Sequence, residues 1–194
     1  MEKGLNVNLK AMVLSLNQSD FERMREQTVR LGIPFRYDAL IHSRLDGDPA
    51  PLAFRLSPAE TTRLHFYNAE DKQKFAAFSQ AVSPPASKAS LFECGAGKMA
   101  MHVDPRCQAH PCMQWRHQPL DLKTNELASS WSAYVQRVLS QQPDAGACNS
   151  CLKRHLCSYC PAVARLETGA TGEPSPFFCH LADERIKALT VEND

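Results

Sequence analysis

The sequence predicts an α+β chain: a short strand–helix–strand unit, a helical segment, and a small cysteine-rich domain of a β-hairpin plus helices around two metal sites. Three observations predict this. Apolar periodicity changes from 2 to 3.6 and back within the first 44 residues. Two S-x-x-E patterns mark helix starts. All eight cysteines of the 194-residue chain fall between positions 94 and 179.

The elements follow in order. Residues 6–16, NVNLKAMVLSL, form a short Val/Leu-rich run suited to a buried strand. Ser19 and Glu22 read as a capping box opening FERMREQTVRLG, with Phe21, Met24, Thr28 and Leu31 near helical spacing and Gly32 as the stop. Pro34 leads into FRYDALIHSR, where Phe35, Tyr37, Ala39 and Ile41 alternate with polar residues. Strand, helix, strand implies a parallel pairing, and one such unit is too small for a sheet domain by itself. Ser57 and Glu60 form a second capping box, with Pro58 at the first helical position, where its missing N–H costs nothing. It opens a helix near 58–67, and AEDKQKFAAFSQ adds another. SPPASKAS at 83–90 reads as a linker. MAMHVD (99–104) and QAHPCMQW (108–115) flank the turn Pro105–Cys107 as a hairpin. Asn125 or Thr124 would cap ELASSWSAYVQRVLSQ, whose Leu127, Trp131, Tyr134, Val135 and Leu139 form a core-facing stripe. HLADERIKAL (180–189) closes the chain as a helix.

Composition narrows the function. Lys+Arg 22 against Asp+Glu 21 gives a net charge of +1. The charge is not segregated: residues 1–90 carry 12 basic and 10 acidic side chains, residues 91–194 carry 10 and 11. A nucleic-acid binder would need a basic face, so no nucleic-acid partner is expected. No apolar run approaches the 18 or so residues of a membrane span, and MEKGLNVNLK has no apolar core of a secretory signal, so a cytoplasmic location without membrane association is expected.

In that reducing compartment, clustered cysteines read as metal ligands before disulfides. The spacing is C94-x12-C107-x4-C112, then 35 residues, then C148-x2-C151-x5-C157-x2-C160, then 18 residues and C179. A C-x2-C unit puts two thiolates on one tight loop, and eight cysteines suffice for two tetrathiolate sites. Ligand type alone leaves zinc and iron–sulfur open. Five residues between Cys151 and Cys157 are few for a zinc ribbon but suit ligands shared between two centres, which favours iron–sulfur.

Phe92-Glu93-Cys94-Gly95-Ala96-Gly97, His102-Val103-Asp104-Pro105, His110-Pro111-Cys112 and the run Cys148 to Cys160 with Cys179 after it closely resemble the SPASM domain. This is the auxiliary C-terminal domain of radical S-adenosylmethionine (SAM) enzymes that modify peptides and proteins. The resemblance covers residues 91–183, and residues 5–60 are similar to the last βα units of the radical SAM barrel through LNVNLKAMVLSLN, LGIPFRYDALI and RLDG. It implies three parts: 1–50, a remnant of the barrel; 51–90, a helical bridge and linker; 91–194, the SPASM-like auxiliary domain. It also implies two [4Fe-4S] clusters with interleaved ligands. Cys94, Cys112 and Cys160 would hold auxiliary cluster I, and Cys148, Cys151, Cys157 and Cys179 auxiliary cluster II. Cys107 stands where the family has the glycine of G-x4-C and is taken as the fourth ligand of cluster I. The gap from Cys157 to Cys160 is two residues where the family has three.

Radical SAM chemistry needs a C-x3-C-x2-C loop, and no cysteine precedes residue 94. The expectation is therefore the C-terminal part or a split subunit of a peptide or protein maturase, inactive alone, with an electron-relay or substrate-binding role. S-adenosylmethionine would enter only with a barrel supplied by a missing part or a partner subunit, and a peptide-recognition domain is a further possible partner. The alternative is a non-catalytic double-zinc module for protein interaction. His102, His110, His117 and His155 lie among the cysteines, but eight thiolates suffice without them. Lys153, Arg154 and Arg165 are candidates to tune the second cluster or hold a peptide carboxylate, with a surface role favoured. Asp38 and His42 would face a barrel lumen.

Overall fold

A computed structural model describes residues 4–81 and 90–190. The fold is mixed α+β, with six α-helices and two small sheets among the described residues. Strand β1 (Leu9–Met12) pairs in parallel with β2 (Phe35–Asp38), from Leu9 opposite Phe35 to Met12 opposite Asp38. Helix α1 (Phe21–Leu31) crosses between them, as the alternation of periods predicts. Gly32 adopts φ 62 and donates back to Thr28 and Val29, so it ends the helix as expected.

The start of α1 differs from expectation. A single 3₁₀ turn at Gln18–Asp20 precedes it, Asp20 is the N-cap, and no side chain caps the helix, so the Ser19/Glu22 box does not form. Asn17 holds this corner instead, accepting from the Leu14 N–H at 2.8 Å and donating to the Met12 carbonyl at 3.1 Å. Phe21 and Thr28 are the buried face, while Leu31 is exposed. The second box does form: Ser57 accepts from the Glu60 N–H, and Glu60 accepts from the Ser57 N–H, opening α2 (Pro58–His65).

Helix α3 (Ala69–Ala81) follows, and residues 82–89, which hold most of the 83–90 linker, lie outside the described residues. The hairpin is shorter than predicted: β3 (His102–Val103) and β4 (Gln108–His110) are antiparallel, and an unforeseen β5 (Leu120–Asp121) adds to β4. Helix α4 (Leu127–Leu139) has Glu126 as N-cap with no side-chain bond, because Asn125 and Thr124 turn back onto the Asp121 carbonyl. Tyr134, Val135 and Val138 are its buried residues, with Leu127, Trp131 and Leu139 packed at the margin. Helices α5 (Pro161–Thr168) and α6 (Pro176–Thr190) complete the chain, α6 beginning earlier than predicted and α5 unforeseen.

Three apolar clusters hold these elements. Val13, Phe21, Ala39, Leu56 and Leu64 form the first, around the β1–α1–β2 unit. The second gathers Leu91, Phe92, Ala109, Trp115, Tyr134 and Val138, with Cys112 and Cys160 packed against it. Leu156, Cys157, Phe178 and Ala182 form the third, covered by Phe75 from α3. Helix α2 packs on α6, and Arg55 reaches Glu167 of α5, so residues 51–81 join the two ends of the molecule rather than merely linking them. No helix among the described residues is long and apolar enough to cross a membrane.

Candidate metal centres

None of the eight cysteines is paired in a disulfide. The loop that carries Cys94 is drawn to Cys112 by its glycines. The Gly97 N–H donates to both Ala100 and Pro111 carbonyls at 3.0 and 2.9 Å, which lays the Cys94–Gly97 turn against the residue before Cys112. Only glycine suits this approach: Gly97 has φ 73, and a Cβ there would stand 2.9 Å from Val135.

Cys160 reaches the same place from a different element. It is the N-cap of α5, with extended backbone and Pro161 at the first helical position. The backbone N–H groups of Val163 and Ala162 face its sulfur, as those of Trp115 and Gln114 face Cys112. Burial pushes both thiols up. The amides oppose that shift, and Cys94 adds to it at both sites; Cys112 also acts on Cys160. Cys94, Cys112 and Cys160 thus form one electrostatically coupled group.

The second group gathers on the other side of the Cys157–Cys160 turn. Burial raises the Cys157 thiol, and Cys151 and Cys179 raise it further against the Tyr159 N–H and Arg185. Cys157 also donates to the Arg154 carbonyl at 3.2 Å. Ser158 takes φ 59 between the two halves, and Arg185 fixes its hydroxyl at 2.9 Å. That left-handed residue turns the chain between Cys157 and Cys160. Cys148 is buried and acts on Tyr159, beside Cys160.

Cys107 sits elsewhere. It is exposed in the β3–β4 turn at φ 64, its N–H donating to the Asp104 carbonyl at 3.0 Å and its carbonyl accepting from Leu122 at 2.9 Å. Strand β4 stands between it and Cys112, about 10 Å of extended chain. Among the described residues, no three His, Cys, Asp or Glu are grouped closely enough to hold a single metal ion.

The remaining candidates are distributed as follows. His110 is buried with its Nε2 3.6 Å from Asp104, and burial together with Arg116 lowers its pKa. His102 Nε2 accepts from Arg116 at 3.1 Å. Burial lowers the pKa of His117. His155 is half-buried. Lys153 pairs with Asp183 at 2.6 Å on the surface. Arg154, expected at the surface, is buried instead, paired with Glu93 and lying 5.0 Å over the Tyr159 ring. Because Glu93 precedes Cys94 and Arg154 lies between Cys151 and Cys157, this pair joins the two thiol groups. Asp38 accepts from the Leu40 N–H at 3.0 Å, and His42 meets the Ser43 carbonyl at 2.6 Å through Nδ1.

The sequence points to Arg154 but not to its burial, and not to Arg185 at all, because a buried guanidinium is visible only through partners far along the chain. Comparison with family models, curated proteins and solved structures found no match.

Proposed function

We propose that the chain is an iron–sulfur protein binding two [4Fe-4S] clusters, the C-terminal part or a split subunit of a radical SAM peptide or protein maturase. One observation carries the reading. Thiols from distant positions act on one another, Cys94 on Cys112 and Cys160, and Cys151 and Cys179 on Cys157, and the buried or half-buried Cys112, Cys157 and Cys160 are faced by backbone N–H donors. Partly buried thiols with amides directed at sulfur fit cluster ligation, since such donors stabilise the thiolate form.

In this reading Cys94, Cys112 and Cys160 hold the first cluster, with Cys107 as candidate fourth ligand, and Cys148, Cys151, Cys157 and Cys179 hold the second. The clusters, when bound, would pass one electron at a time. The chain's own part is to shield the sulfurs from water: Cys112 and Cys160 lie against the Trp115 and Phe92 core, and Cys157 against Phe178. The Glu93–Arg154 pair would fix the spacing between the two sites. A peptide or protein substrate and a separate barrel subunit are the proposed partners, with S-adenosylmethionine bound only there. A cytoplasmic location is proposed because none of the clustered cysteines is paired in a disulfide.

The test is purification without oxygen, with iron, sulfide and zinc measured per chain and the visible spectrum recorded. Close to eight irons and eight sulfides are expected. Cys148→Ala should remove about half of both and leave the first site loaded. A colourless protein with about two zincs would overturn the reading in favour of a structural zinc module.

A further inference from the structure

Two adjoining cavities run along the seam between the Arg44–Gly47 loop and the cysteine-bearing half. The larger, about 680 Å³, is lined by Arg44, Arg106 and Arg116 together with Asp104 and His110. The smaller, about 230 Å³, shares Asp46 and Arg116 with it and continues to Trp115 and Arg165.

Buried nitrogens along this seam have no partner. The His110 side chain is 2% exposed, and neither ring nitrogen makes a hydrogen bond. The indole Nε1 of Trp115, a residue 1% exposed, and Nε of Arg116 are also unpaired. Buried donors are ordinarily satisfied, so three residues with unpaired nitrogens along one seam indicate a ligand rich in acceptors.

Asp104 faces His110 at ion-pair distance and reaches neither Trp115 nor Arg116 Nε. Its Oδ1 is occupied by the Arg106 and Gln108 N–H groups at 2.9 and 3.0 Å. Its Oδ2 stands 3.6 Å from His110, 3.8 Å from Arg106 and 3.8 Å from Arg116, outside hydrogen-bond range of each. The carboxylate therefore holds the guanidinium groups at ion-pair distance; one Arg116 terminal nitrogen donates to His102 at 3.1 Å, and its Nε is left without a partner. Arg44 is engaged by Asp48 at 3.2 Å, which leaves Arg106, Arg116 and Arg165 facing the cavities against Asp46 and Asp104.

We propose that this seam binds a carboxylate of a peptide or protein, its C-terminus or an acidic side chain, with Arg116 as the principal partner. A planar guanidinium pairs with carboxylate in two parallel hydrogen bonds. The two aspartates oppose a dianionic phosphate more than a monoanionic carboxylate. Leu45, Pro105 and Leu166 add apolar wall for the chain that bears the carboxylate. The proposal gives the peptide partner of the preceding section a binding chemistry but does not depend on cluster content.

Isothermal titration of the full chain, with its metal content measured on the same sample, separates the two readings. The probes are an acetylated apolar pentapeptide with a free C-terminus, the same peptide amidated, an amidated version with one internal Glu, and inorganic phosphate. At least one carboxylate-bearing peptide should bind about tenfold or more tightly than the amidated control, and which one identifies the source. Arg116→Gln should remove that preference. Arg106→Gln, whose side chain is 80% exposed and carries little packing, should weaken it several-fold. Arg30→Gln on α1 should leave it intact. Equal binding of all three peptides, tighter binding of phosphate, or a preference that survives both seam variants would overturn the proposal whatever the iron content.

Discussion

The β1–α1–β2 unit and the cysteine-bearing half solve the same stability problem with different materials. The first is organised by Phe21, whose ring meets Tyr37 edge-on at 4.8 Å and Tyr67 at 5.2 Å. Its hydrogen bonds run through one parallel ladder and a glycine-capped helix. The second has strands of two or three residues, two separate apolar clusters, and thiols set at the edges of both. In the first region a four-residue ladder and one helix share a single core, completed by Leu56 and Leu64. In the second region the ladders are too short to support it. Loops therefore lie against loops: a Cβ on Gly172 would fall 2.0 Å from the Asp144 carbonyl oxygen, a contact only glycine permits. The contrast is one of a single apolar core under regular elements against two small cores held by loop-to-loop contacts, where the proposed metal sites would act as cross-links.

The largest expected effect breaks that contrast directly. Removing metal from the purified protein with a chelator should unfold the cysteine-bearing half and spare the other. Structural metal sites carry several kcal/mol of folding free energy, so the melting temperature of that half should fall by about 10 °C or more. Both tryptophans, Trp115 and Trp131, lie there, so tryptophan fluorescence reports on it alone. Amide exchange in β1, α1 and β2 should be unchanged; concerted loss of protection in both regions would show one cooperative unit.

Next comes the joint between them. The Arg55 side chain is 7% exposed and that of Glu167 only 1%. Arg55 Nη1 donates to Glu167 at 3.2 Å, Nε donates to the Ile41 carbonyl at 2.9 Å, and the guanidinium lies 4.6 Å over Phe177. Arg55→Ala leaves a buried carboxylate unpaired and should cost about 3–5 kcal/mol. Adding Glu167→Leu should recover much of it, because the cost lies in the orphaned charge. Denaturant unfolding of the two variants measures both. A loss below about 1 kcal/mol for Arg55→Ala would mean that the two regions are coupled mainly through α2 and α6.

This joint also marks what sequence could and could not disclose. The β1–α1–β2 unit and α2 were legible because their signals are local: the alternation from Phe35 to Ala39, the stop at Gly32, and the proline and capping box at Ser57. The thiol array was legible as a spacing. The Ser19/Glu22 box failed because Asn17 takes over the corner at closer range. Helix α5 was missed because Pro161 follows the cysteine run and reads as a loop residue, whereas here it occupies the first helical position. Arg55 and Arg185 escaped notice, and Arg154 was expected at the surface, because their partners lie 112, 120 and 61 residues away, distances over which no periodicity carries information.

A smaller effect tests the second contact between the regions. Arg185, 2% exposed on α6, donates to His65 Nδ1 at the end of α2 at 2.6 Å. Burial and the Arg185 charge lower the His65 pKa from 6.5 to about 4, against Asp38. Between those values the unfolded chain binds a proton that the folded chain refuses. Stability from this group is therefore complete above pH 6.5 and is lost as pH falls toward 4, by on the order of 2–3 kcal/mol. His65→Phe should flatten the stability profile across that window, read from urea midpoints at pH 4.5 and 7. An unchanged slope would assign the acid sensitivity to other groups.

The smallest effect sharpens the comparison most, because it asks whether Cys107 belongs to the cross-linked set or to the scaffold. At φ 64 a residue with a Cβ costs about 1–2 kcal/mol relative to glycine, and Cys107 is exposed, so its side chain recovers little by packing. If the turn alone decides, Cys107→Gly raises stability by about 1 kcal/mol and leaves iron and sulfide per chain unchanged. The proposed place of Cys107 as fourth ligand of the first cluster makes the opposite the expected result. A fall in iron accompanied by a lower melting temperature would make Cys107 a ligand of the first cluster. The strain at this turn would then be offset by a metal–sulfur bond, and the hairpin would belong with the thiols rather than with the strands.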